Sequence, residues 1–164
     1  MIPGFRYTFF LRICSYLSLK NRILYKLFYI FLRHYKYGFE IHPSTKIGAG
    51  FYIGHFGGVV INSKAIIGCN VNISQGVTIG SINRGRKEGL PTIGNNVYIG
   101  PGAKILGNIR IGNNVAIGAN SVVLDDIPDD CSVGGIPAKI ISHIGAGPEY
   151  IQNPIDVTSY ETRK

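Results

Sequence analysis

The stretch Pro91-Thr92-Ile93-Gly94-Asn95-Asn96-Val97-Tyr98-Ile99-Gly100-Pro101-Gly102-Ala103-Lys104-Ile105 places an isoleucine at every sixth position. The same phase runs outward through Ile41, Ile47 and Ile53, then Ile61, Ile67, Ile73 and Ile79, and later Ile111, Ile117 and Val123. Four positions after most of these comes a second residue of inward size, as at Ala65, Val71, Val77, Val97, Ala103, Ile109, Val115, Ser121 and Ile127. A helix repeating every 3.6 residues, or a strand alternating every two, cannot hold such a phase. Glycine follows the first aliphatic in Ile93-Gly94, Ile99-Gly100, Ile111-Gly112 and Ile117-Gly118, and asparagine or glycine fills the corners, as tight turns prefer. The solution is a mainly β, triangular solenoid: one short strand per hexad, three hexads per coil, and coils stacked as parallel strands roughly 4.8 Å apart.

The phase slips twice, by eight between Ile53 and Ile61 and by fourteen between Ile79 and Ile93. Each slip predicts an extruded loop, and residues held out by a rigid scaffold are where chemistry concentrates. The second loop, 81–91, is polar and basic, with Arg84 and Arg86. Before Gly38 the texture differs. Residues 1–39 carry seven of the 17 Lys and Arg and none of the nine Asp and Glu, within a net charge of +8. Two helices are expected there, the second over about residues 21–35, with Arg22, Lys26, Tyr29, Arg33 and Lys36 on one stripe. Such a helix either lies on an anionic membrane surface or covers its own body or a neighbouring subunit. Basic residues interrupt the apolar run, so a spanning helix or secretory signal is disfavoured. Three scattered cysteines, Cys14, Cys69 and Cys131, fit neither a disulfide framework nor a Cys zinc site, and point to a reducing compartment. The expected organisation is a basic helical segment (1–38), a solenoid domain (39–141) with loop 81–91 extruded, and a C-terminal tail (142–164) that is weakly ordered from Pro148 onward.

Glu40-Ile41-His42-Pro43, Ile53-Gly54-His55, Gln75-Gly76-Val77-Thr78-Ile79-Gly80, Gly102-Ala103-Lys104-Ile105-Leu106-Gly107-Asn108 and Gly134-Gly135-Ile136-Pro137-Ala138-Lys139 carry a resemblance. Over about residues 37–141 the chain resembles the hexapeptide-repeat acetyltransferases, in particular serine acetyltransferases and the colanic acid type of polysaccharide O-acetyltransferase. The resemblance implies a left-handed parallel β-helix, a homotrimer with sites between subunits, and acetyl-CoA as co-substrate without a metal. It puts the catalytic base on His55 and an orienting acid on Glu40, where serine enzymes usually have Asp. It also puts cofactor contacts on Gly80, Gly100, Pro101, Ala119 and Lys139, while the basic loop itself offers Arg84 and Arg86 as acceptor contacts.

Departures from the serine enzymes shape the expected acceptor. Where they end the loop in Arg-His before Pro, this chain has Gly89-Leu90-Pro91, and Gly54 stands where an Asp commonly precedes the histidine. A site for free serine should present a cation and an acid beside the base. The expectation is therefore O-acetylation of a sugar hydroxyl on a bacterial surface polysaccharide or its precursor. Serine O-acetylation and amino-sugar N-acetylation are the alternatives. A non-catalytic solenoid fits poorly with His55 placed at an irregularity, and a zinc-dependent relative would need several converging imidazoles where only His42 and His55 lie in the early coils. The expected setting is cytoplasmic, with peripheral contact to a membrane through residues 1–38 and no nucleic-acid partner.

Overall fold

The computed structural model describes residues 3–34, 38–152 and 154–156. Lys36, the side chain of Arg33 and the tail beyond 156 lie outside what is described.

Helices α1 (Pro3–Lys20) and α2 (Arg22–His34) precede the coils. The first coil is β1 (Phe39–Ile41), β2 (Lys46–Ile47) and β3 (Tyr52–Ile53); the second is β4 (Val59–Ile61), β5 (Ile66–Ile67) and β6 (Asn72–Ile73). The third is β7 (Thr78–Gly80), β8 (Thr92–Ile93) and β9 (Tyr98–Ile99); the fourth is β10 (Lys104–Leu106), β11 (Arg110–Ile111) and β12 (Ala116–Ile117). A last partial coil holds β13 (Val122–Val123) and β14 (Ser132–Gly135), and β15 (Ala138–Ser142) folds back on β14 as an antiparallel pair. Stacking gives three sheets, β1-β4-β7-β10-β13, β2-β5-β8-β11 and β3-β6-β9-β12-β14-β15, which form the faces of a left-handed β-helix of about five turns.

Register reproduces the hexads. Ile61 pairs with Ile79, and Ile99 with Ile117, eighteen residues apart, whereas Ile41 meets Ile61 at twenty and Ile67 meets Ile93 at twenty-six. The surplus of two and of eight residues is what the two phase slips require. Ile73, Ile79, Ile93, Ile99, Ile105, Ile111 and Ile117 stack inside at 2% exposure or less, with Val71, Val77, Val97 and Val115 beside them. Asparagine ladders hold a corner together: the Asn70 amide donates to Asn96 Oδ1, Asn96 to Asn114, and Asn114 to Asp130. Asn70, Asn96 and Asn114 all sit at φ near 55°, the left-handed region that asparagine tolerates better than most residues. At the end of a parallel ladder, Asp129 takes hydrogen bonds from the backbone and side chain of Asn113, which hold its carboxyl below the usual range.

Helix α1 closes the open end of the coil. Tyr7, Leu11 and Cys14, spaced as one helical face, are buried, and the Tyr7 hydroxyl both donates to and accepts from the Ile41 backbone. Burial pushes the Tyr7 phenol up to about 12. Arg12 donates to the carbonyls of Ile47 and Gly48 at 2.6 and 2.5 Å. At Gly4 an added Cβ would lie 2.1 Å from the Ile53 carbonyl oxygen, so only glycine lets the helix approach this closely. Asn21 joins the helices, its side chain accepting from the Ile23 and Leu24 amides as an N-cap.

The tail departs from expectation. Its described part runs along the third sheet: Ile155 exchanges two hydrogen bonds with the Asn70 side chain, the Asn72 amide donates to the Tyr150 carbonyl, Tyr150 packs on Tyr98, and Ile151 is buried. Buried asparagine amides need partners, and the tail backbone supplies one to Asn70 and one to Asn72, although Asn72 Oδ1 has no partner among the described residues.

Candidate active site

His55 stands in the corner that leads from β3 to β4. In the corners above it the backbone repeats one hydrogen bond: Gly102 N–H to the Gln75 carbonyl and Asn120 N–H to the Pro101 carbonyl. The matching bond below runs from Gly76 N–H to Gly57. Gly57 therefore holds the place that Gln75, Pro101 and Ala119 hold in later coils. His55 and Phe56 are the two surplus residues of the first slip, pushed out of the wall, and both are exposed. Gly57 and Gly58, at φ 107° and 65°, let the chain turn back into register.

The edge above His55 collects most of the expected cofactor positions. Gly100-Pro101 and then Gly118-Ala119 occupy the same corner, Ala119 and Lys139 are exposed, and Lys139 pairs with Gly134 at the upper end. From Gly57 to Ala119 this edge spans three coil spacings, or about 14 Å. The sequence reading did not assign Gln75 or Phe56. Gln75 is exposed one coil above His55 and Phe56 is 67% exposed beside it; counting surplus residues against the hexad would have found Phe56, whereas Gln75 emerges only when the coils are stacked.

Other expected residues lie elsewhere. Glu40 is exposed on the outer face of β1, with Val60 as its register neighbour, and no hydrogen bond joins it to His55. It borders a groove of about 890 Å³ between the helices and the first sheet, lined also by Tyr29, His42, Ser63, Thr78 and Gly80. The His42 ring is held by Ser44 at 2.7 Å. Gly80 thus faces this groove rather than the edge carrying Gly100 and Ala119. Arg84 and Arg86 are exposed in loop 81–91, which leaves the far end of the first sheet. That extruded loop forms a small hairpin. Ile82 and Gly89 exchange backbone hydrogen bonds, the Lys87 carbonyl accepts from Asn108, and Lys87 reaches Asp125 at 3.5 Å. Gly89 has φ 130°, and a Cβ there would lie 2.8 Å from the Asn108 Cβ. No group of three or more His, Cys, Asp or Glu able to hold a metal occurs among the described residues.

The fold and its repeats define a class. Residues 91–125 match the model for the bacterial transferase hexapeptide (six repeats). Within that class the chain resembles serine acetyltransferases. It is 52% identical to the Staphylococcus aureus enzyme (strain Mu50) over 108 residues, 66% of this chain and 51% of that one. It is 46% identical to the Synechococcus elongatus enzyme over 108 residues, covering 66% and 44%. The solved Brucella abortus serine acetyltransferase in complex with coenzyme A superposes with a TM-score of 0.78 at 34% identity, over 90% of this chain and 59% of that one. The Neisseria gonorrhoeae enzyme gives 0.75 at 38% identity, over 92% and 59%. The chain spans about half the length of the curated relatives it matches.

Proposed function

We propose that this protein is an acetyl-CoA-dependent O-acetyltransferase with His55 as general base, working as a homotrimer in a reducing cytoplasm. The observation that carries this reading is the placement of His55: an extruded imidazole at the foot of an open edge of small residues that ends at Lys139. An extended pantetheine arm lies along Gly100, Pro101 and Ala119, whose small side chains permit close backbone approach, and Lys139 meets the nucleotide phosphates. His55 takes the proton of the acceptor hydroxyl as its oxygen attacks the thioester carbonyl. A backbone N–H stabilises the oxyanion. The tetrahedral intermediate collapses with cleavage of the C–S bond, and the imidazolium returns its proton to the CoA thiolate.

The layout of one chain supports a site between subunits: the His55 corner leads into the first sheet and loop 81–91 leaves it on the other side, so that Arg84 and Arg86 reach His55 when a neighbour supplies the loop. Glu40, exposed on the neighbouring first strand, is the proposed orienting acid by the resemblance, its contact with His55 forming only in the loaded site, since apo geometry often loosens such contacts. The three cysteines are free and buried, in keeping with a reducing setting.

The relatives favour L-serine as acceptor, and none of those named supports the polysaccharide reading that the sequence suggested. One observation keeps the sugar hydroxyl as a second reading. At Gly89, where serine enzymes place Arg, the backbone adopts a conformation that side chains rarely take and Asn108 fills the adjoining space. The test is CoA release from acetyl-CoA with L-serine and with a panel of oligosaccharides and lipid-linked sugars, with products identified by mass. Saturable acetylation of serine alone assigns serine. Acetylation of a sugar with serine inert assigns the second reading, and no acetylation of any hydroxyl ends both.

A further inference from the structure

The helical hairpin has a face that the coil does not use. On α2 the side chains fall into three sectors. Leu32 is buried, and Tyr25, Phe28 and Tyr29 are half-buried against the body. Ile23, Leu24, Leu27, Ile30 and Phe31 are exposed, Ile23 at 81% and Ile30 at 64%. Arg22 and Lys26 are exposed on the flank beside Ile23 and Ile30. The apolar sector continues onto α1, because Phe31 stacks on Phe10, Phe10 meets Phe9 edge-on, and Phe9 stacks on Phe5. Phe5 and Phe9 are each more than half exposed. A contiguous apolar surface of this kind marks an interaction site.

We infer that this face seats the protein on an anionic lipid surface, with the apolar side chains in the headgroup boundary and the basic flank against lipid phosphates. Charge selects the partner. Residues 1–39 hold seven basic and no acidic side chains, so a second copy laid against the same face would bring Arg22 and Lys26 toward their own images with no carboxylate between them. The rest of the chain is nearly neutral, with ten basic against nine acidic residues, and offers little counter-charge. An anionic bilayer supplies both the apolar medium and the negative field. No described helix is long and apolar enough to cross a membrane, so the hairpin lies in the interface. This inference stands apart from the proposed chemistry.

The test is co-sedimentation of the full chain with vesicles of phosphatidylcholine alone or mixed with phosphatidylglycerol, at low and high salt. Binding is expected to the mixed vesicles only and to weaken with salt. Leu27→Glu/Ile30→Glu and Arg22→Glu/Lys26→Glu each alter exposed side chains, so folding should persist by circular dichroism, and each should lower binding by at least about tenfold. Failure of the full chain to bind anionic vesicles at low salt overturns the inference, as does unchanged binding by both variants. A smaller oligomer in Leu27→Glu/Ile30→Glu, with no vesicle binding by the parent, would make the face a contact between copies and overturn it equally.

Discussion

The two breaks in the hexad phase, at residues 54–58 and 81–91, end in opposite states. The first adds two residues, His55 and Phe56, which stand in solvent while the glycines beside them restore the register. The second adds eight, and these fold back as a hairpin bonded to Asn108 and Asp125. A stacked coil tolerates both because surplus chain leaves at a corner, where it interrupts no buried ladder. The short break cannot satisfy its own side chains and so presents them outward. The long break has enough backbone to form its own pairs, down to Glu88 N–H on the Gly85 carbonyl near its tip, and only the side chains of Arg84 and Arg86 stand out from it. An insertion too short to fold on itself is therefore the better place for a reactive side chain.

Breaking this contrast begins with His55→Ala. Acetyl transfer should fall by about two to four orders of magnitude, the usual worth of a positioned base, while thermal melting stays unchanged because the side chain is exposed. Near-normal turnover would remove His55 from the mechanism. Glu40→Gln sharpens the same point: a loss of about tenfold fits an orienting acid, whereas a loss equal to that of His55→Ala would give Glu40 a direct part in proton transfer.

The long break should respond in stability. Gly89→Arg forces a side chain into φ 130° against Asn108. It should cost about 1–3 kcal/mol in denaturant unfolding. If unfolding is unaffected, the hairpin is not the rigid element described. The smallest effect belongs to Lys87→Ala, which removes an ion pair between a half-buried lysine and the exposed Asp125. A change within about 1 kcal/mol is expected, since backbone bonds carry the attachment. A larger loss would show that the salt bridge, rather than the Ile82–Gly89 pairing, holds the hairpin.

Much of this could be read from the residues. The isoleucine phase gave the stacked cores, and its slips located both extrusions, since a six-residue rhythm has few other structural causes. Asparagine and glycine at the corners foretold left-handed turns at Asn96 and Asn114. Gln75 and Phe56 escaped notice because neither breaks the pattern by residue type; Phe56 shows only as a surplus residue, and the position of Gln75 matters only when coils are stacked. The helices were half legible: the basic stripe of α2 was visible, but α1 has no such stripe, and its role as a cap rests on Gly4, Tyr7 and Arg12 meeting backbone far along the chain. The tail misled because Pro148 to Asp156 is unremarkable in composition, and its partners Asn70, Asn72 and Tyr98 lie about fifty to eighty-five residues away.

By itself the sequence determined the coil, its three hexads per turn and the two points where chain leaves it, because each hexad closes its own strand and corner through local contacts repeated along the chain. Only the tertiary structure decided which residues share an edge. His55, Gln75, Pro101, Ala119 and Lys139 fall in line, while Glu40, Gly80 and the arginine loop lie across the first sheet or beyond it. That division depends on register between coils, and register is fixed by how surplus residues are absorbed at corners, a quantity summed over the whole stack rather than written at any one position.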